Sequence, residues 1–275
     1  MGTRKNQIRL SASEKRAFVN AVIALKRRGG YDDFVRTHNN FILSDQDSGP
    51  RVAHRSPSFG PWHRQFLLEF ERALQSIDPS VNLPYWDWTT DRSPTSSLWA
   101  PDFLGGNGRR SDQQVTTGPF AYQTGNWTLT VRVDSRQYLC RNLGASGQSL
   151  PTAAEVRQVL AITPYDAPPW NSGSSGFRNQ LEGWQGPNIH NRVHAWIGGH
   201  MASGVSPNDP VFWLHHCFVD KLWADWQAAH PDQGYLPAST AGGTPQVVSL
   251  DDRMRPWGDV TPRDLLDHRT FYEYA

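Results

Sequence analysis

The chain has 275 residues, with 27 Lys and Arg against 26 Asp and Glu and a formal charge of +1, a balance that offers no general attraction to nucleic acid or an anionic membrane. Charged residues make up 19% of the chain, below the roughly 25% usual in globular proteins. Together with 23 glycines and 20 prolines, this points to a compact body with long ordered loops and excludes a coiled coil or a disordered tail.

In chain order, the first helix is expected at the capping box Ser11-Ala12-Ser13-Glu14, with Phe18, Val22 and Leu25 on one face and Gly29-Gly30 as its stop. A second helical pattern spaces Tyr31, Phe34, Val35, His38, Phe41 and Ile42 by threes and fours, so His38 should point inward. After a polar turn region, Pro61 fits the first turn of a third helix with Phe66, Leu67, Phe70, Leu74 and Ile77 on its buried face. His63 shares that face. Residues 79–150 read as loops rich in Trp, Pro and Gly, beginning with Pro84-Tyr85-Trp86-Asp87-Trp88, with a short strand-like piece at Leu129 to Val133. A further helix is predicted from Thr152 to about Ala161, where Glu155 completes a second capping box. A fifth covers Asn188 to Ile197, and a sixth opens at Asn208-Asp209-Pro210 and runs to about Ala229. The remainder, 230–275, reads as loops packed on the body.

Twelve Trp and ten His stand out, against only two cysteines, Cys140 and Cys217. Two thiols are too few for a disulfide scaffold or a Cys-rich zinc site, although one bridge is compatible with the sequence. His38, His54 and His63 form one set, two of them on inward helical faces. His190 and His194 are four apart, the spacing that lets two imidazoles of one helix reach one ion, and His215 or His216 on the next helix can supply a third. Two triplets of histidine without a thiolate exclude an iron–sulfur cluster and suit copper or zinc. The lack of a bridging carboxylate favours copper. A zinc hydrolase using one triplet is the alternative.

The segment Arg51-Val52-Ala53-His54-Arg55-Ser56-Pro57-Ser58-Phe59-Gly60-Pro61-Trp62-His63-Arg64 resembles the first copper site of the type-3 copper tyrosinase family. The stretches His190-Asn191-Arg192-Val193-His194 and Ser206-Pro207-Asn208-Asp209-Pro210-Val211-Phe212-Trp213-Leu214-His215-His216 resemble its second site, and Leu83-Pro84-Tyr85-Trp86-Asp87-Trp88 is also similar. The likeness spans nearly the whole chain and is strongest to the compact tyrosinases of Streptomyces-type bacteria. It implies a mainly α fold: a four-helix bundle carrying a dinuclear copper site, wrapped by long loops with minor β-strands, as one catalytic domain over 1–275. It implies that His38, His54 and His63 hold one copper ion and His190, His194 and His216 the other, with O2 as co-substrate. His215 is then packed against a polar partner. Asp220 either orients a copper ligand or faces solvent beside Lys221, and His200, His230 and His268 are surface residues.

The activity implied is ortho-hydroxylation of monophenols and oxidation of o-diphenols to o-quinones, with Glu182 and Asn191 holding a water that takes the phenol proton. Gly60 and Ala195 are smaller than the family's usual residues at those positions and are expected to loosen the copper surroundings. An o-aminophenol oxidase or a catechol oxidase is therefore the alternative activity, and an O2 carrier a more distant one. Cys217 is expected to be buried packing. No apolar run approaches the 18 residues or so of a membrane span, and the basic stretch Met1 to Gln7 lacks the apolar core of a signal peptide. The resemblance implies a small caddie protein that delivers copper and carries the export signal; without it the chain would be soluble and cytoplasmic.

Overall fold

Helix α1 (Ala12–Arg27) starts where the Ser11 hydroxyl accepts from the Glu14 N–H at 3.2 Å and the Glu14 carboxylate accepts from the Ser11 N–H at 2.8 Å. Two of the helix's otherwise unpaired donors are thereby satisfied. In the computed structural model, which describes residues 2–145, 147–239 and 246–275, six further helices follow among the described residues: α2 (Gly30–Ser44), α3 (Phe59–Gln75), α4 (Ala153–Leu160), α5 (Phe177–Glu182), α6 (Ile189–Ile197) and α7 (Val211–Ala229). Met1, the first residue of the basic N-terminal stretch, lies outside the described residues. Gly29 turns the chain between α1 and α2 at φ +81°, a conformation that only a residue without a Cβ adopts freely. Helix α4 begins at the expected Thr152–Glu155 capping box. At the start of α7, the Asp209 carboxylate accepts from the Val211 N–H at 3.2 Å.

Helices α2, α3, α6 and α7 form the four-helix core that carries the histidines. Aromatic packing sets their spacing. Phe70 of α3 and Trp213 of α7 stack with ring centres 3.6 Å apart and 5° between planes. The Tyr31 hydroxyl of α2 accepts from Trp213 Nε1 at 2.9 Å and donates to the Pro207 carbonyl at 2.5 Å. A buried Tyr and Trp are thus each given a partner for the polar end. Closer to the N-terminus of α3, a Cβ on Gly60 would sit 3.1 Å from the Trp223 ring, so the bare glycine lets α3 close on α7.

The strand-like piece at 129–133 does not form a strand. Leu129 is buried and Val131 partly so, but Val133 is exposed, and only one backbone bond, from the Leu129 N–H to the Gln137 carbonyl at 2.8 Å, pairs the segment with a neighbour. The alternating pattern lacks a partner strand. The two strands among the described residues lie elsewhere: β1 (Gly2–Arg4) and β2 (Tyr272–Tyr274) pair in parallel. Cys140 and Cys217 are both free and buried, so no bridge joins them. Among the described residues no helix is long and apolar enough to cross a membrane.

Buried ion pairs fasten the loops to the helices. Arg141 meets Asp209 through Nε and Nη2 at 2.6 and 2.7 Å and also donates to the carbonyls of Leu104 and Gly105. Both side chains are fully shielded from solvent. Replacing Arg141 with Met leaves the Asp209 charge buried without its partner, and removing one member of such a pair costs about 3–5 kcal/mol. Urea denaturation of Arg141→Met should show a loss of that size, whereas Lys221→Ala, at a partly exposed pair with Asp225, should change stability by less than about 1 kcal/mol.

Candidate metal centre

Three elements supply the first histidine group. His38 lies on the inward stripe of α2, His63 on the first turns of α3, and His54 on the loop between them. Asp45 shapes that loop, accepting the backbone N–H groups of Ala53 and His54 at 2.7 and 2.9 Å. His190 and His194 extend from one face of α6, and His215 and His216 from α7. Candidate ligand atoms of His38, His54 and His63 lie within 4.8 Å of one another, and so do those of His190, His194, His215 and His216. The two groups adjoin, because the His63 and His216 rings stack 4.5 Å apart at 15°.

Hydrogen bonds on the outer side of the rings orient them. His38 Nδ1 faces the Gly204 carbonyl at 2.9 Å, His63 Nδ1 the Phe59 carbonyl at 2.9 Å, His190 Nδ1 the Glu182 carbonyl at 3.0 Å and His194 Nδ1 the Met201 carbonyl at 2.7 Å. A carbonyl only accepts, so each Nδ1 carries the ring proton and each Nε2 turns a lone pair inward. The Nε2 atoms of His190 and His194 lie 3.2 and 3.3 Å from that of His216. Among the described residues, His63 Nε2, both nitrogens of His54, His215 Nε2 and His216 Nδ1 are buried without a hydrogen-bond partner. Buried polar atoms are rarely left unpaired, and converging imidazole lone pairs suit a soft or borderline cation such as copper. These residues fit two metal ions.

Burial lowers the pKa of every one of these histidines. His38 falls to about 3 and His194 to about 4, the Nδ1 hydrogen bonds opposing the shift in each.

Both triplets border a cavity of about 340 Å³, lined by His38, His54, His190 and His194 and walled by Ile42, Glu182, Trp184, Asn191 and Ala195. Its size accommodates a single aromatic ring with substituents. Two larger hollows, of about 580 and 560 Å³, lie at the surface near the N-terminus and contain no histidine.

Glu182, the last residue of α5, is buried, which sets aside its reading as a surface carboxylate. It accepts the Arg55 backbone N–H at 2.6 Å, Trp184 Nε1 at 2.8 Å and Arg178 Nη1 at 2.8 Å. Burial raises its pKa against the lowering influence of Arg178 and the other donors. Asn191 shares the same cavity wall, its Oδ1 3.0 Å from His190 Nδ1.

The residues matched by the family model described as the common central domain of tyrosinase are 28–229. The chain is 64% identical over 274 residues to a tyrosinase of Streptomyces glaucescens, covering 100% of this chain and 99% of that one. The chain belongs to the tyrosinase family. The family uses two copper ions with O2, and the two histidine groups fit that pair. Grixazone synthase of Streptomyces griseus is 47% identical over 304 residues, covering 98% of each chain. A polyphenol oxidase structure from Thermothelomyces thermophila is 29% identical at a TM-score of 0.66, over 87% of this chain and 74% of that one.

Some expectations are corrected. Gly60 does not line the cavity; it faces Trp223 and the Tyr165 hydroxyl, so its small size serves helix packing. Ala195 does line it. Asp220 neither touches a histidine nor faces solvent: it is buried, bonded to Arg64 Nε at 2.7 Å and to the Tyr272 and Tyr274 hydroxyls at 2.5 Å each. His200 is not a surface residue. It is buried, and its Nδ1 accepts the Cys140 N–H at 3.0 Å. His230 and His268 are half-buried. Sequence reasoning missed Arg55 and Trp184, whose guanidinium and indole stack 4.4 Å apart at the cavity; no periodic signal marks either. It also missed Arg178, whose position four residues before Glu182 is a readable helical pair.

The depressed histidine pKa values fix the sign of an acid response. The unfolded chain takes up protons near pH 6.5, while folded His38 and His194 remain neutral to about 3 and 4. Between those limits the unfolded state binds more protons, so stability falls as pH falls. Chemical denaturation of the metal-free chain should show a loss steepening by about 1.4 kcal/mol per pH unit for each such histidine below pH 6.

Proposed function

We propose that residues 1–275 form one catalytic domain that hydroxylates monophenols at the ortho carbon and oxidises the o-diphenol to the o-quinone. His38, His54 and His63 hold one copper and His190, His194 and His216 the other. The observation that carries this reading is the meeting of two imidazole triplets at a cavity sized for one aromatic ring, with a buried carboxylate on its wall. Bound copper supplies the redox chemistry, by which one oxygen atom of O2 enters the ring and the other leaves as water.

The protein's own residues supply the proton handling and the fit. Glu182 and Asn191 hold a water that takes the phenol proton, so that the substrate enters the reaction as phenolate. Three N–H donors occupy the Glu182 carboxylate, which leaves a lone pair for that water. A carboxylate whose pKa is raised by burial is a better base near neutral pH than an exposed one. Ile42 and Ala195 present apolar surface to the ring. An o-aminophenol or catechol oxidase with weak hydroxylation is the second reading. The small Ala195 at the cavity wall and the likeness to grixazone synthase favour it.

Comparing kcat/KM on L-tyrosine, L-DOPA and an o-aminophenol tests the choice. Turnover of the aminophenol with no hydroxylation of any monophenol would overturn the first reading. In Glu182→Gln, kcat/KM on the monophenol should fall about 100-fold or more, with a much smaller fall on the catechol. In the native protein, monophenol turnover should decline as pH drops through the raised Glu182 pKa, since protonation removes the base.

A small caddie protein that delivers copper and carries the export signal belongs to the same reading. Exposed apolar side chains at the cavity support it: Trp184 is 40% exposed, and Leu43, next to the cavity-lining Ile42, is 68% exposed. Expressed alone in copper-supplemented cells, the chain should contain well under two coppers per molecule by elemental analysis. Full copper content and activity without a partner would overturn that expectation.

A further inference from the structure

One histidine of the centre has its ring proton on the opposite nitrogen from its neighbours. His38, His63, His190 and His194 each aim Nδ1 at a backbone carbonyl. That partner fixes the proton on Nδ1 and the lone pair on Nε2. At His215 the partner is a donor: Trp88 Nε1 lies 3.2 Å from His215 Nδ1. An indole N–H can only donate, so Nδ1 of His215 holds the lone pair. A neutral imidazole carries one N–H, and here it must be on Nε2, which is buried without a hydrogen-bond partner, so the Trp88 contact alone sets the tautomer.

We propose that Trp88 is a positioning residue that keeps His215 in its Nε2–H tautomer, so that the second histidine group offers three lone pairs to a metal instead of four. Without such a device His215 would compete. It has a candidate ligand atom within 4.8 Å of those of His190, His194 and His216, and its ring lies parallel to that of His190, 5.1 Å away at 11°. A protonated nitrogen cannot coordinate, and the remaining lone pair, on Nδ1, is taken by the Trp88 N–H. Neither nitrogen of His215 is then open to a metal, and the position that a catalytic metal needs stays free.

The surroundings hold the indole in place. Trp88 and His215 are both fully buried. The Trp86 N–H donates to the Leu214 carbonyl at 3.0 Å, which registers the Trp86-Asp87-Trp88 segment against α7 one residue before His215. Phe218, one turn further along α7, meets the Trp88 ring edge-on at 4.9 Å. This assigns a task to the Leu83–Trp88 motif, which the redox chemistry leaves without one.

The exclusion rests on the ligand set proposed above, whereas the tautomer is read independently of it. The test uses the full chain with 15N-labelled histidine, loaded with diamagnetic Cu(I), and long-range 1H–15N correlation spectra, which report the protonated nitrogen of each ring. Outside the centre, His200 and His230 also carry the proton on Nε2, because the Cys140 N–H donates to His200 Nδ1 and His230 Nε2 faces the Leu160 carbonyl. A further Nε2–H pattern with a bare Nδ1 should come from His215, and that signal should vanish in His215→Gln. In Trp88→Phe the Nε2–H pattern of His215 should be lost or averaged. Protonation of His215 on Nδ1 in the wild-type chain would overturn the proposal, and so would an unchanged His215 pattern in Trp88→Phe. Should Trp88→Phe fail to fold, the wild-type and His215→Gln spectra decide by themselves. Failure of the signals of the six proposed ligands to shift on adding Cu(I) would overturn the ligand assignment and the exclusion with it. Loss of the His215 pattern alone would overturn only the tautomer lock.

Discussion

An imidazole buried in an apolar interior can be kept only as the neutral ring, since the charged form pays too large a desolvation penalty. At His38, His63, His190 and His194 the single N–H finds an acceptor, and the choice of acceptor decides which nitrogen turns inward. Here the acceptors are main-chain carbonyls at helix ends and in the adjoining loops: Glu182 where α5 stops, Phe59 in the first turn of α3, Met201 and Gly204 just after α6. The carbonyls of Glu182, Met201 and Gly204 lie outside a helical ladder and are free to accept, whereas Phe59, the first residue of α3, accepts through the second lone pair of a helical carbonyl. The placement of the helix ends is therefore the constraint on which the metal centre depends, and the rest of the fold can be understood as the means of holding those ends still.

Aromatic packing does part of that holding. The Phe70–Trp213 stack and the Tyr31–Trp213 hydrogen bond join α2, α3 and α7 about two helical turns from His38 and His63. Charged pairs do the remainder, and they sit directly behind the candidate ligands. Arg64 follows His63 in sequence and reaches Asp220, one turn beyond His216, so one ion pair ties the two ligand-bearing helices together. Arg4 of β1 lies 3.6 Å from the same Asp220 and pairs with Glu71 at 2.7 Å, which fastens the paired terminal strands to α3 and α7. Such pairs add little net stability relative to apolar residues, but each admits few alternative arrangements. Their contribution here is positional.

Six of the seven helices among the described residues and five of the six proposed ligands were legible in the sequence because periodicity and caps are local signals; α5, only six residues long, is too short to show a period. His38, His63, His190 and His194 lie on stripes that a 3.6-residue period defines, and His54 belongs to a contiguous motif. His215 and His216 were not separable by spacing, since adjacent helical residues both reach toward the centre. What separates them physically is a contact from Trp88, 127 residues away in sequence, which no local rule detects. The same limit explains Asp220 and His200. Each was read as exposed or ambiguous from its neighbours in sequence, and each is buried by a distant partner: Arg64 for Asp220, and the Cys140 backbone for His200. Gly60 misled in the opposite direction. Its position near His63 suggested space around copper, yet its missing side chain is filled by Trp223.

Glu182 shows why distant contacts matter most at the centre itself. Its backbone carbonyl accepts from His190 Nδ1, while its side chain accepts the N–H of Arg55, the residue after His54. One residue thus links the loop of the first triplet to the helix of the second. Three donors converge on its carboxylate, from Arg55, Trp184 and Arg178, and a carboxylate accepts on both oxygens whereas an amide accepts on only one. A glutamine here would direct its NH2 group at either the Arg178 guanidinium or the Arg55 and Trp184 donors. The structural demand for an acceptor on both sides and the proposed role as a base near the substrate therefore call for the same residue type. Loss of the carboxylate must accordingly disturb the geometry between the triplets as well as the proton transfer. Copper content and catechol turnover measure the first effect, and only the excess loss on a monophenol measures the second.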